Sequence, residues 1–283
     1  MLTEAINHIQ RMTATTGTSS PDAPRECMGC GTIDDVEIKL LAEFPTGRRM
    51  WSAWCPECAD RRKQAEQQMD EEQRRFEARQ RQRRIDDLFR QSRLGPRFRR
   101  STFDAWVERP GTESAHQAAK RFVEQWPPDR GLGLLFSGPT GCGKTHLAAA
   151  VANQLLSRGH TVIFQSVPEL LMRIRSTYNR QADTTEEALV SELVQCDLLV
   201  LDDLGSEKPS DWTEATLYTI IDQRYRMERP VIVTSNLTPA ALGQAVGTRI
   251  MDRLVEMCEI HLMRASSYRR EIAEARARER RER

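Results

Sequence analysis

The stretch Gly138-Pro139-Thr140-Gly141-Cys142-Gly143-Lys144-Thr145 decides the fold of this chain. It fits G-x-x-x-x-G-K-[ST], a phosphate-binding loop. An apolar run, 132–136, precedes it and a helix-forming run, 145–156, follows. The motif needs that strand–loop–helix setting. The glycines let backbone N–H groups turn inward around phosphates, and the helix N-terminus adds the positive end of its dipole. Lys144 is expected to reach the β- and γ-phosphates and the Thr145 hydroxyl to ligate Mg²⁺. A Gly-rich turn with no ligand is the bland alternative.

On either side of the loop, helical stretches alternate with short apolar runs. Strands are expected at 132–137, 161–166, 197–201, 231–235 and 259–263. Helices are expected at 117–125, 168–178, 186–195, 212–227 and 248–257. Alternating βα units imply an α/β class, with a mostly parallel sheet covered on both faces. Ligands of such sheets bind beyond the carboxyl ends of the strands.

A second motif, Leu198-Leu199-Val200-Leu201-Asp202-Asp203, delivers two acids to that edge, with 57 residues between Lys144 and Asp202. Asp202 is expected to hold the Mg²⁺ shell and Asp203 to polarise an attacking water. A third strand, Val231-Ile232-Val233-Thr234-Ser235-Asn236, ends on an amide. Asn236 could orient the water or touch the γ-phosphate; the other reading is a helix N-cap or turn residue before Thr238-Pro239. Arg249 and Arg253 are four residues apart and share a helix face. They are either surface ion-pair partners or arginines that enter a neighbouring subunit's site to stabilise charge on a transferred phosphoryl group.

The 283 residues suggest one large domain and a smaller one. Hydrophobic residues make up 39% and charged residues 29%, with a net charge of only +1. Any nucleic-acid contact must therefore come from local patches. No apolar run approaches the ~20 residues that span a bilayer, and a cytoplasmic protein is expected. Two C-x-x-C pairs, Cys27/Cys30 and Cys55/Cys58, are separated by 24 residues. Four thiolates suit a structural, tetrahedral Zn²⁺ in a zinc-ribbon-like module at 25–60, with a redox dithiol as the alternative. Residues 32–54 are expected to form its hairpin, with Val36, Ile38 and Leu40 alternating. Residues 1–24 read as a flexible arm with a short helix at 4–11. The stretch 61–95 reads as a charged linker helix, with nine basic and five acidic side chains between positions 61 and 84. It is either a solvated connector laced with i,i+4 pairs or a helix that touches a partner or DNA. Leu94-Gly95-Pro96 ends it, and the ATPase domain is expected at 96–270, followed by a charged tail at 271–283.

Taken together, the loop with His146-Leu147, the Asp202-Asp203 pair with Leu204-Gly205, Thr234-Ser235-Asn236, the run Arg249 to Leu254 and Ser267-Tyr268-Arg269 resemble one group. It is the AAA+ ATPases of the DnaC/DnaI-type replicative helicase loaders, within the wider IstB/DnaC-like family. The resemblance implies an ATP-dependent, Mg²⁺-requiring loader that binds a DnaB-type hexamer and delivers it onto single-stranded DNA. It places His146 among the nucleotide-binding residues. It makes Arg253 the arginine acting in trans, Arg249 an intersubunit contact and Arg269 the sensor of its own γ-phosphate. It places Arg175, Tyr178 and Trp212 on single-stranded DNA, where half-buried packing is the alternative for the two aromatics. The zinc module would grip the helicase, and the ATPase domains would self-associate. Asp203 stands where many such ATPases carry Glu, which implies slow hydrolysis. The rivals are an IstB-type transposition helper and an adaptor that binds ATP with little hydrolysis.

Overall fold

A computed structural model describes residues 24–33, 35–45, 49–178 and 185–281. The expected arm at 1–24 and its short helix lie outside the described residues, save Pro24. The chain divides into two compact units, Met1–Gln80 and Arg81–Arg283, and the division falls within helix α1, Pro56–Gln91.

In the first unit β1 (Glu37–Glu43) pairs antiparallel with β2 (Arg49–Trp54), with a bulge between Leu40 and Ala42. The expected alternation does not build its interior. Ile38 is exposed and Leu40 half-buried, while Ala42, Ala53 and the thiols of Cys27, Cys55 and Cys58 are buried. Two strands cannot enclose a layer of large aliphatics, so sulfur atoms form the core, flanked by Val36 and Trp54. Helix α1 starts earlier than expected. Pro56 opens it where a missing N–H costs nothing, which puts Cys58 on the first turn. Its surface carries the i,i+4 pairs Glu57–Arg61, Arg62–Glu66 and Glu71–Arg75, as a solvated helix requires. Arg93, at a left-handed φ of +59°, turns the chain away after Gln91.

The second unit is a five-stranded parallel sheet in the order β4-β5-β6-β3-β7. Its strands are β3 (Gly133–Ser137), β4 (Val162–Ser166), β5 (Leu198–Asp202), β6 (Val231–Ser235) and β7 (Cys258–Leu262). The helices are α2 (Glu113–Glu124), α3 (Lys144–Ser157), α4 (Val167–Ser176), α5 (Glu186–Gln195), α6 (Asp211–Arg226), α7 (Pro239–Val246), α8 (Thr248–Met257) and α9 (Tyr268–Arg281). Alternate residues of each strand face opposite ways. Leu134 and Phe136 join one core with α2 and α3; Leu135, Leu199 and Val233 join another with α4 to α8. Both faces are covered, which is why these strands read as continuous apolar runs.

The strand order positions the site. β6 lies between β5 and β3, in register with both. The carboxyl ends that carry the acid pair, Asn236 and the phosphate loop therefore stand side by side. The expected fifth strand begins one residue early, at Cys258, and the expected tail is helical from Tyr268 to Arg281.

Candidate nucleotide site

The loop leaves β3 and enters α3 through Gly141 and Gly143, with φ of +86° and +110°. Side chains rarely adopt these angles, so glycine is required there. Lys144, the first residue of α3, is buried, and its Nζ donates to three oxygens. These are the carbonyls of Gly138 (2.8 Å) and Pro139 (2.9 Å) and Oδ1 of Asn236 (2.9 Å). Burial pushes the Lys144 pKa down, while Cys142, Asp203 and Asp202 pull it back up.

Asn236 joins the two motifs. Its Nδ2 donates to Oδ1 of Asp203, and its Oδ1 accepts from Lys144 and, at 3.4 Å, from the Thr140 hydroxyl. The N-cap role falls instead to Thr238, whose hydroxyl accepts from Ala241 N. Thr234 organises the acid pair: its hydroxyl donates to Asp202 at 2.7 Å and accepts from Asp203 N at 2.9 Å. Burial raises the Asp202 pKa, against hydrogen bonds from the Thr234 and Thr145 hydroxyls. Thr145 and Asp202 thus present hard oxygens to one point, a donor set suited to Mg²⁺. Asp203 is held at φ +63°, an uncommon conformation for a non-glycine residue.

These groups line a cavity of about 370 Å³, together with Gly141, Gly143, His146 and Arg269. Cys142 is buried beneath the loop, and Gly138 and Pro139 take part through their carbonyls on Lys144. His146 turns to the preceding segment, with Nε2 2.9 Å from the Thr102 carbonyl and its ring 5.3 Å from Trp106. Sequence reasoning missed that segment. Phe98, Trp106 and Arg109 also line the cavity, from outside any long element. The available signal was a cluster of aromatics, Phe98, Phe103 and Trp106, in a stretch with no helical or strand period, which must bury them somewhere.

Arg253 does not reach the cavity of its own chain. Its Nε donates to Asp222 at 3.1 Å, its guanidinium stacks 4.4 Å from the Tyr225 ring centroid, and Glu256 lies 3.9 Å away. The Asp222 hydrogen bond raises the Arg253 pKa. Arg249 is exposed on the same helix. A separate group forms from Arg175, Tyr178 and Trp212. The Arg175 guanidinium lies 4.5 Å from the Trp212 centroid, and Trp212 Nε1 donates to the Tyr178 hydroxyl at 2.9 Å.

In the first unit the sulfurs of Cys27, Cys30, Cys55 and Cys58 all lie within 4.8 Å of one another. Cys30 Sγ and Cys55 Sγ are 3.7 Å apart. Zinc–sulfur bonds of ~2.3 Å in a tetrahedron require an edge of about 3.8 Å, so the set fits a zinc ion. Backbone N–H groups of Cys55 and Gly29 point at Cys27 Sγ. Those bonds, that from Cys55 foremost, bring the Cys27 thiol down to about 6. Cys58 is pushed up to about 12, first by its hydrogen bond with Cys30 and then by burial. Four neighbouring thiols cannot all ionise without a cation between them. A Cβ on Gly29 would come within 2.9 Å of Cys58 Sγ.

Residues 59–275 match the model of the IstB-like ATP binding protein family. The chain belongs to the IstB-like ATP-binding protein family. It is thus an ATP-binding protein with an AAA+ core. The replicative helicase loader DnaC of Escherichia coli (strain K12) is 34% identical to this IstB-like chain over 148 residues, 52% of this chain and 60% of the loader. The aligned part is therefore under two thirds of that relative's length. The crystal structure of the DnaC helicase loader superposes with a TM-score of 0.55 at 27% identity, over 60% of this chain and 99% of that one. The crystal structure of DnaI gives 0.53 at 28% identity, over 60% and 95%. AMPPCP-bound DnaA from Aquifex aeolicus, at 22% identity and a TM-score of 0.55, shares the fold.

Proposed function

We propose that this IstB-like chain is an ATP-hydrolysing helicase loader that binds a hexameric DnaB-type replicative helicase and delivers it onto single-stranded DNA. The observation that carries the reading is the convergence of Lys144, Asn236 and Asp203 at one sheet edge, in a chain related to DnaC. Lys144 holds the β- and γ-phosphates, which compete for the ammonium with the loop carbonyls. Asp203 and Asn236 orient and polarise the attacking water, and Arg269 contacts the γ-phosphate. Thr145 and Asp202 would hold Mg²⁺, which supplies charge stabilisation at the phosphates. The short reach of Asp203 makes hydrolysis slow. Arg253 acts on the site of an adjoining copy, with Arg249 at the same subunit contact. Its Nε contact with Asp222 and its stacking on Tyr225 hold the guanidinium in place, and the 3.9 Å pair of Nη1 with Glu256 is the long contact it would give up for a neighbour's phosphate.

Arg175, Tyr178 and Trp212 hold single-stranded DNA through phosphate charge and base stacking. Cys27, Cys30, Cys55 and Cys58 bind zinc and make the 25–60 module the helicase-docking part. The ATPase domain extends over 96–270, with 61–95 as linker and 271–283 as tail, in a cytoplasmic protein.

The test is co-purification with a DnaB-type helicase, with and without residues 1–60, plus a turnover assay with single-stranded DNA. Helicase capture that needs residues 1–60, and hydrolysis lost in Lys144→Ala and Arg253→Ala with ATP binding kept in the latter, is expected. Unchanged turnover in Arg253→Ala removes the trans-acting role. A second reading, a transposition helper, is favoured by the family match over 59–275. Capture of a transposase in place of the helicase would decide for it.

A further inference from the structure

Arg109 precedes α2 and belongs to no regular element. Its side chain is only 11% exposed. The guanidinium joins two parts of the chain that the sequence keeps far apart. Nη2 donates to the Cys142 carbonyl of the phosphate loop at 2.8 Å, and Nη1 to the Ser266 carbonyl, just before α9, at 2.7 Å. It also stacks 5.1 Å from the centroid of the Tyr268 ring, and Glu271 lies 3.8 Å away. Tyr268 and Glu271 stand on either side of Arg269 in the first turn of α9.

Loop and helix also meet directly. Tyr268 N donates to the Gly141 carbonyl at 3.1 Å. A Cβ on Gly141 would sit 2.2 Å from Ser267 Oγ, and one on Gly143 would sit 2.6 Å from the Trp106 indole. The outer side of the phosphate loop is thus closed by the segments around 106–109 and 266–268. A loop that turns its N–H groups inward to phosphates must turn carbonyls outward, and Arg109 takes one of these. A planar fork of donors can hold two carbonyls in fixed, divergent directions, which a lysine ammonium cannot reproduce.

We propose that Arg109 is a positioning residue that locks the start of α9 to the phosphate loop and thereby sets Arg269 against the γ-phosphate. ATP is told from ADP by Arg269, and Arg109 supplies the geometry. The inference rests on the proposed contact of Arg269 with the γ-phosphate.

The experiment measures the affinities of the full chain for ADP and for a non-hydrolysable ATP analogue, with Mg²⁺, by calorimetry. Arg269→Ala is expected to weaken the ATP analogue by about tenfold and ADP by no more than about twofold, the scale of one lost charge-assisted contact. Arg109→Gln should show the same selective loss, and the double variant should be no worse than Arg269→Ala, because the two act as one unit. Arg109→Lys, which keeps the charge without the fork, should stay deficient. Equal weakening of both nucleotides in Arg109→Gln, or losses that multiply in the double variant, overturns the proposal. Should thermal melting show Arg109→Gln unfolded, Arg109→Lys decides instead: a wild-type ratio of affinities there overturns the proposal. An unchanged ratio in Arg269→Ala removes the γ-phosphate contact itself, and the proposal with it.

Discussion

Asp202 shows how a single side chain trades stability for chemistry. It ends β5 and is largely desolvated, and burial outweighs the two hydroxyls that stabilise its charge, so its pKa is raised. A carboxyl whose pKa is raised in the folded state adds stability only while protonated. That contribution is full below the unfolded pKa and is lost as pH rises through the folded value. At neutral pH the ionised form therefore works against folding. Asp202→Asn keeps the acceptor for Thr234 and removes the charge. Without nucleotide it should raise stability by ~1 kcal/mol at pH 7, the scale of relaxing a strained functional site, with turnover abolished. Denaturant titration from pH 7 downward should show the gap from wild type narrowing as the carboxyl protonates. A variant less stable than wild type at pH 7 would contradict this account.

At the scale of elements, α6 and α8 meet through Asp222. This buried carboxylate takes Nε of Arg253 at 3.1 Å, Nη2 of Arg226 at 2.7 Å and the Tyr218 hydroxyl at 3.3 Å. Arg253 is thereby held by its inner edge. Asp222→Asn leaves the shape intact and weakens that hold. If Arg253 serves an adjoining copy, ATP turnover should drop about tenfold, a small part of the roughly 10³–10⁵-fold that a trans-acting arginine supplies, while nucleotide affinity stays unchanged. Arg226→Ala shares the carboxylate but not the arginine and should change neither. Turnover measured at several protein concentrations reads the outcome, and full activity in Asp222→Asn would rule the positioning out.

The whole molecule has two units with separate cores, one of sulfur and one of aliphatic side chains on both faces of a sheet. The first is too small to be held by apolar burial alone, and a structural zinc supplies about 10–16 kcal/mol of apparent binding energy in small metal modules. If the four thiols hold zinc as proposed, a strong zinc chelator should release one zinc per chain and abolish the pairing of β1 with β2. ATP affinity should remain within about twofold, since every nucleotide-site residue lies in the second unit. Metal content by mass spectrometry and backbone amide exchange check the two halves. A hairpin that keeps its protection after metal loss would show that the thiols do not hold it.

The phosphate loop, the acid pair, the amide at the end of β6 and the two cysteine pairs were legible because their chemistry dictates residue type at short spacing. The alternation of apolar strand and helix likewise announced a covered parallel sheet, since each run buries itself in its own period. Three things emerged only on folding. The strand order set Asn236 between the loop and the acids. The aperiodic segment around Trp106 and Arg109 packed over the loop. Arg253 took Asp222, 31 positions away, as its partner. Each joins groups distant along the chain, and no local propensity or spacing encodes which distant surfaces will meet when the cores close.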